Sequence, residues 1–351
     1  MRLSFISASL AAVGSVSALP QAPKPAFAPA PALPLEAFNT TDFKPLTLEQ
    51  AKKITGPSAP PNNNFQIQQD FAAAATCSNP RVRVEWDSYP AADRQAFVGA
   101  IKCLMGKKAS GGWSNSGNRY EDLVALHQQL TLNVHGNSKF LIWHRYYLWA
   151  FEDLLRSECG FNKPIPWFDE TKYSGRFRDS SIFSDQYFGG IAAGGRCITN
   201  GVFANLALNV GPGTGNTRHC LTRNDDPNQT INTQSSMVNA CQARTRYADM
   251  AACAEGGAHA WGHNGIGGVM ADMYASPGDP VFWLHHAFID RNFRVWQNAD
   301  GNRVNVIDGT DKSGKALTMD TTVVLNNIRP TVTIREIMNT LGDKLCYKYN
   351  Y

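Results

Sequence analysis

Hydrophobic positions at helical spacing dominate the chain from residue 91 onward. Four segments have apolar residues every three to four positions, the pattern of a helix with one face buried. They are Ala91–Met105, Arg119–Asn133, Ser138–Cys159 and Asp279–Gly301. Gly160 should end the third, and Asp279 and Pro280 mark the start of the fourth. These segments predict a mainly α-helical fold.

Two stretches lack that periodicity. Residues 172–239 are rich in Gly, Ser, Asn and Thr and are expected to form long loops. Ala316–Asn327 is expected to contain a short strand. The fold class expected is therefore mainly α, with long loops and a few short strands.

The N-terminal region has a different composition. Residues 1–18 combine Arg2, an apolar stretch and a small-residue site, which is typical of a secretory signal peptide. Residues 19–64 contain a Pro/Ala-rich tract and are predicted to be a leader or pro-segment. The catalytic domain is assigned to residues 65–351, with folding expected to begin between Phe65 and Cys77.

Composition narrows the class of protein. The 351 residues are 43% hydrophobic and 18% charged, with a net charge of +4, and no basic run indicates nucleic acid. The apolar run near the N-terminus is too short and too broken for a membrane anchor. We therefore expect an extracellular protein that binds neither nucleic acid nor membrane; its oligomeric state is left open.

The cysteines agree with export. The chain has eight, with no CxxC pair, so four disulfides are expected rather than a thiolate zinc site. Cys197 and Cys220 bracket a Gly-rich loop and are predicted to pair, and Cys77 with Cys346 would tie the ends of the domain together. Sequons at Asn39 and Asn228 are candidate glycan sites.

The histidines carry the candidate chemistry. The chain has eight, and six fall into two groups of three: His127, His135 and His144, then His259, His263 and His286. His259 and His263 are four apart, so on a helix both rings can reach one ion. Imidazole is a common ligand of copper and zinc.

Neighbouring residues refine the second group. A zinc protease of the HExxH type needs Glu after the first histidine, whereas this chain has Ala260. His285 points about 100° away from His286 on a helix and is expected to be a packed neighbour. Asp290, one turn after His286, is a candidate acceptor for that histidine's second ring nitrogen.

These motifs resemble the type-3 copper proteins, specifically the short secreted fungal tyrosinase and catechol oxidase (polyphenol oxidase) group. The matching features are the spacing of the first three histidines, "HAWGH" at residues 259–263 and "DPVFWLHHAFIDR" at residues 279–291. The resemblance covers roughly Cys77 to Tyr349. It implies a four-helix bundle around two copper ions, with the six histidines as ligands and O₂ as co-substrate.

The resemblance also implies roles outside the ligands. Glu255 matches the position of a water-holding glutamate, the candidate catalytic base. Ala260, Asn264 and Ala275 are the expected substrate-contacting positions. Small Ala275 suggests an open approach for substituted catechols.

The chain departs from its relatives in three ways. Asn133 stands where many fungal members have a cysteine that cross-links to the second ligand, so no thioether is expected. No C-terminal lid domain is expected, so activation should not require its removal. Ala260 stands where members that hydroxylate monophenols often have Asn.

The leading hypothesis is a dicopper oxidase that converts o-diphenols to o-quinones, reduces O₂ to water and hydroxylates monophenols weakly or not at all. Small phenols would be its partners. A full tyrosinase and a haemocyanin-like oxygen carrier remain alternatives, and a zinc hydrolase is a third class. Catechol turnover separates enzyme from carrier, and metal analysis separates copper from zinc.

Overall fold

A computed structural model describes residues 30–39, 42–54 and 77–351. The predicted signal peptide, residues 19–29, 40, 41 and 55–64 of the predicted leader, and residues 65–76 of the predicted domain lie outside the described residues. The α-helices of the described part are α1 (Leu48–Lys53), α2 (Ala91–Met105), α3 (Arg119–Val134), α4 (Phe140–Cys159), α5 (Pro227–Thr230), α6 (Ser235–Gln242), α7 (Tyr247–Ala254), α8 (Ala260–Ile266), α9 (Phe282–Asn298) and α10 (Ile334–Met338).

The mainly helical prediction is confirmed. Helix α4 is mostly buried and packs against α2 and α9, while α3 packs against α2 and α4. Gly160 ends α4 in the left-handed conformation, with φ of 66°, which glycine adopts without a steric penalty. These four helices form a bundle, and three of them carry His127, His144 and His286.

The start of α9 differs from the prediction. The helix begins at Phe282, three residues later than expected, and the residues that follow Asp279 form a turn instead. In this turn the backbone N–H of Val281 donates to Asp279 Oδ1 at 3.0 Å. Both Asp279 oxygens also accept from Arg223, at 2.7 and 2.8 Å. Asp279 therefore anchors the turn before α9 to the loop region.

The strands of the described part are short. They are β1 (Arg81–Arg83), β2 (Ala207–Leu208), β3 (His219–Cys220), β4 (Thr322–Val323), β5 (Val332–Thr333) and β6 (Tyr347–Tyr349). Strands β2 and β3, and β4 and β5, pair antiparallel, whereas β1 and β6 pair parallel. The strand predicted within Ala316–Asn327 is confirmed but covers only β4.

All eight cysteines are paired. Both predicted disulfides, Cys77–Cys346 and Cys197–Cys220, are present. The others are Cys103–Cys159 and Cys241–Cys253. The first ties residue 77 to the segment just before β6, so the two ends of the domain meet.

The long loop region is confirmed for most of residues 172–239. It contains β2, β3, the short α5 and the first turn of α6, which the composition did not indicate. His219 is buried there, and its Nδ1 faces the Thr217 carbonyl at 2.6 Å. It belongs to neither of the two histidine groups found among the described residues.

Packing begins earlier in the chain than residues 65–77, where folding was expected to start. Phe38, Phe43 and Ala51 are all buried, with at most 4% of their surface exposed. Phe38 and Phe43 are isolated aromatic residues without helical or strand periodicity, so no pattern in the sequence predicts this packing. Residues 42–54 therefore pack against the domain formed by residues 77–351.

Candidate dinuclear metal centre

The first three histidines converge on one point. His127 lies on α3, His135 follows the last residue of α3, and His144 lies on α4. The Nε2 atom of His127 is 3.2 Å from that of His135 and 3.5 Å from that of His144. The structure thus brings together the first predicted group.

The partners of the other ring nitrogens fix the tautomers. The Nδ1 atoms of His127 and His144 face the carbonyls of Tyr274 and Phe140, at 2.9 and 2.8 Å. His135 Nδ1 faces Glu255 Oε1 at 2.9 Å. Each Nδ1 therefore carries the hydrogen, and three Nε2 lone pairs point at one another. Lone pairs at this separation repel unless a cation lies between them, so the group fits a bound metal ion.

The second group is built in the same way. His259 Nδ1 faces the Glu255 carbonyl at 3.0 Å, and His263 Nδ1 faces the Met270 carbonyl at 2.7 Å. His259 Nε2 is buried without a hydrogen-bond partner among the described residues. That orphaned acceptor is a second observation that fits a metal ligand.

The third position of this group has two neighbouring candidates, because the structure gathers His259, His263, His285 and His286. His286 Nε2 lies 3.2 Å from His263 Nε2, as in the first group. His285 Nδ1 instead lies 2.5 Å from the buried carboxylate of Glu170. The pattern of facing Nε2 atoms favours His286, with His285 held beside it.

The two groups face each other. The rings of His144 and His286 stack with centroids 4.5 Å apart, and those of His135 and His259 lie 5.8 Å apart. Two ions held by these groups would therefore be neighbours. The arrangement is that of a dinuclear site with all-nitrogen ligation.

A short π-helical turn connects the groups. It covers Glu255–His259 and includes Gly257 with non-helical angles, φ −85° and ψ −122°. Such turns often occur at functional sites. Here the turn lets Glu255 serve both groups, with its carboxylate on His135 and its carbonyl on His259.

The proposed role of Asp290 is wrong. His286 Nδ1 has no hydrogen-bond partner among the described residues. Asp290 accepts instead from Arg145 Nε at 2.7 Å and from the hydroxyls of Tyr347 and Tyr349 at 2.5 and 2.6 Å. The buried guanidinium of Arg145 needs a counter-charge, and this requirement sets the position of the carboxylate.

Burial keeps these imidazoles neutral. Desolvation, followed by the neighbouring histidine, lowers the pKa of His127 to about 3. Burial likewise lowers the pKa of the other affected rings, those of His144, His259, His263 and His286, well below the ordinary value. Neutral imidazole is the form that binds a metal ion.

Two of the predicted substrate residues lie on the helix that carries His263, and the third follows Tyr274, whose carbonyl faces His127 of the first group. Ala260 and Asn264 are buried on α8, and Asn264 Nδ2 donates to the Phe43 carbonyl at 3.0 Å. Ala275 is buried next to Tyr274, and its Cβ lies so close to Gly211 that a Cβ added to this glycine would be only 2.5 Å away. Substrate contact at these positions stays a prediction.

Two residues at the site escaped the sequence analysis. Glu170 is buried against His285, and Phe43 stacks on His263 with ring centroids 4.2 Å apart and planes 11° apart. A pair of glycines, Gly256 and Gly257, was the available signal for the π-helical turn. Neither Glu170 nor Phe43 lies close to the histidines in sequence, so spacing did not reveal them.

Comparisons with known proteins agree with this site. The family model described as the common central domain of tyrosinase matches residues 117–299. Tyrosinase P of Aspergillus terreus is 28% identical over 79% of this chain and 94% of its own length. Tyrosinase ustQ of Aspergillus flavus is 31% identical over 78% of this chain and 80% of its own length. A mutant polyphenol oxidase from Thermothelomyces thermophila shares the fold, with a TM-score of 0.72, 24% identity, and coverage of 90% of this chain and all of that one.

Proposed function

The chain belongs to the tyrosinase family of copper oxidoreductases, and on that premise we propose that it oxidises o-diphenols to o-quinones, with weak or no hydroxylation of monophenols. The observation that carries the proposal is the convergence of Nε2 lone pairs in two facing groups. In the overall reaction, two o-diphenols lose two electrons and two protons each, and one O₂ becomes two waters.

We propose that His127, His135 and His144 hold one copper ion and that His259, His263 and His286 hold the other. Copper supplies the redox couple and the reaction with O₂. The protein fixes the ring orientations through the acceptors at each Nδ1 and excludes water with buried aromatic rings such as Phe140 and Phe282.

The selectivity for diphenols rests on Glu255 and Ala260. A monophenol, with an ordinary pKa near 10, must lose its proton before it can react as a phenolate. Glu255 Oε1 already accepts from His135 and from the Gly136 backbone N–H, both at 2.9 Å. Ala260 has no polar side chain that would help the carboxylate hold a water as base.

The test compares oxygen uptake with a catechol and with its monophenol, alongside copper quantitation. We expect two coppers per chain, clear diphenol oxidation and weak or lagging monophenol oxidation. Ala260→Asn should raise monophenol turnover while diphenol turnover changes little. Comparable turnover of both substrates by the unmodified protein would support the full tyrosinase that the names of the relatives suggest, and oxygen binding without turnover would support a carrier.

The ligand assignment has its own test. His263→Ala should lose one copper per chain and abolish oxidation, yet keep its helical circular dichroism, because four disulfides and the buried helices support the fold. His285→Ala is the matched variant, and it should retain two coppers. Loss of a copper from His285→Ala but not from His286→Ala would reverse the assignment between these neighbours.

We also propose that the protein is secreted. Four disulfides are compatible with an oxidising compartment. Among the described residues, no helix is long and apolar enough to cross a membrane. N-terminal sequencing of protein from the culture medium tests the predicted division after residue 18, and mass mapping tests glycans at Asn39 and Asn228.

A further inference from the structure

Residues 42–54, which we name the N-terminal strap, lie across the histidine site. The Phe43 ring is stacked on His263 and meets His259 and His135 edge-on, with centroids 5.4 and 6.3 Å away. Only 4% of the Phe43 surface is exposed. One aromatic ring therefore contacts histidines of both groups and separates them from solvent on that side.

Hydrogen bonds fasten the strap to the segment that carries the second group. Besides the bond from Asn264 to the Phe43 carbonyl, the Leu46 N–H donates to the Gly256 carbonyl at 2.6 Å, and Trp261 Nε1 donates to the Leu46 carbonyl at 2.8 Å. A Cβ on Gly256 would lie 2.7 Å from Leu46 Cγ. The glycine thus provides the room for this close contact.

The end of the strap is anchored separately. Helix α1 is capped by Thr47 and Gln50, which exchange hydrogen bonds of 2.8 and 3.2 Å. It packs on α6, and its Ala51 is fully buried. Beyond it, the buried side chain of Arg244 donates to the Ile54 carbonyl at 2.5 Å. The bond to the Phe43 carbonyl and the contacts of the residues that follow it therefore hold its ring in place.

We propose that the strap is an intramolecular inhibitor, in which Phe43 occupies the place that the aromatic ring of a phenolic substrate needs on the face of His263. This inference rests on the proposed function. A planar ring parallel to an imidazole is the arrangement that a catechol would adopt to bring its hydroxyls toward the converging Nε2 atoms. Substrate and Phe43 then compete for one position, and displacement of the strap activates the enzyme.

The strap changes what is expected of activation. From the sequence we expected no covering segment whose removal activates the enzyme. Residues 42–54 provide such a cover from the N-terminal side. Since Cys77 is bonded to Cys346, a cut between Ile54 and Cys77 would release the strap and leave the rest of the domain tied together.

The experiment uses the copper-loaded chain that retains the strap. Phe43→Ala is compared with Phe38→Ala, a matched control: Phe38 is equally buried on the same N-terminal region but contacts His219 rather than the two groups. In addition, a protease site is introduced within residues 57–62, and the purified chain is cut. Trp261→Phe, which removes only the hydrogen bond to Leu46, serves if Phe43→Ala does not fold.

Phe43→Ala and the cut chain should raise kcat/KM for a bulky catechol by about tenfold, the factor expected if one molecule in ten is open. Trp261→Phe should give a smaller rise, and Phe38→Ala none. A synthetic peptide of residues 42–54 should inhibit the cut chain competitively with catechol. Equal kcat/KM in all these proteins would overturn the proposal.

A second measurement needs no turnover. In the copper-free protein, diethylpyrocarbonate should acylate His263 about tenfold faster in Phe43→Ala and in the cut chain than in the parent or in Phe38→Ala. Unchanged acylation would refute the cover. If acylation rises but no loaded form oxidises any catechol, the strap inference stands and the proposed function fails.

Discussion

Glu255 is the residue whose substitution tests the site most sharply. Its carboxylate oxygen accepts from His135 Nδ1 and from the Gly136 N–H, while its backbone carbonyl accepts from His259. A side-chain substitution removes the first pair of bonds and leaves the third. Copper affinity should therefore fall at the first site and stay nearly unchanged at the second.

The structure sets the size of the effect. A hydrogen bond to a charged group contributes about 1.5 to 3 kcal/mol. The Glu255 side chain is 19% exposed, so the lower value applies to each bond. Glu255→Gln keeps an acceptor but loses the charge, which should cost about 1.5 kcal/mol, or tenfold in affinity. Glu255→Ala loses both bonds, about 3 kcal/mol and a hundredfold, within the range for residues that orient a ligand.

Competition with a chelator of known copper affinity measures each site. A His263→Ala background reports the first site, and a His127→Ala background reports the second. Glu170→Gln is the control, because Glu170 contacts His285 rather than the first group. Equal weakening of both sites by Glu255→Ala would refute the reasoning. Unchanged affinity at both sites with lost monophenol turnover would mean that Glu255 acts as a base alone.

Three further predictions concern stability. Asp290→Asn should lower the free energy of unfolding by about 3 to 5 kcal/mol in urea titrations, because the buried guanidinium of Arg145 loses its counter-charge. The folded fraction should keep two coppers, and loss of one copper would show that Asp290 supports a copper ligand after all. The copper-free protein should be most stable above pH 6.5. Below that pH, each histidine like His127 should lower the free energy of unfolding by about 1.4 kcal/mol per pH unit, because the pKa of folded His127 is about 3 and the unfolded chain takes up the proton first. A free energy of unfolding that stays constant from pH 7 to 5 would contradict this. Replacing both Cys197 and Cys220 with Ser should cost about 3 kcal/mol, because the bond closes a loop with a sequence separation of 23; an unchanged guanidinium midpoint would show that the loop is held by its other contacts.

Local patterns predicted the parts of the protein that local physics decides. The bounds of α2, Ala91–Met105, match the periodic segment, and Gly160 ends α4 as its conformational freedom indicated. His259 and His263 share one site because residues four apart on a helix lie on the same face. In each case the evidence lies within one or two helical turns of sequence.

The features that sequence reasoning missed depend on distant partners. Asp290 lies one turn from His286, yet its partners come from α4 and β6, and nothing local distinguishes a carboxylate that binds a histidine from one that neutralises a buried arginine. Phe43 is an isolated aromatic residue whose contacts are more than ninety positions away. The contact between Glu255, in the π-helical turn, and His135 likewise joins residues 120 positions apart.

The pairing of β1 with β6 has a consequence for synthesis. Arg83 emerges early, and it is buried against Glu152, Tyr347 and Tyr349, the last of which lies 266 residues further along the chain. At 5 to 20 residues per second, roughly 13 to 53 s pass before that tyrosine follows the arginine off the ribosome. The growing polypeptide therefore carries a charged residue destined for the interior without its tyrosine partners for that time, and the pairing of β1 with β6 must wait until residue 349 has been made.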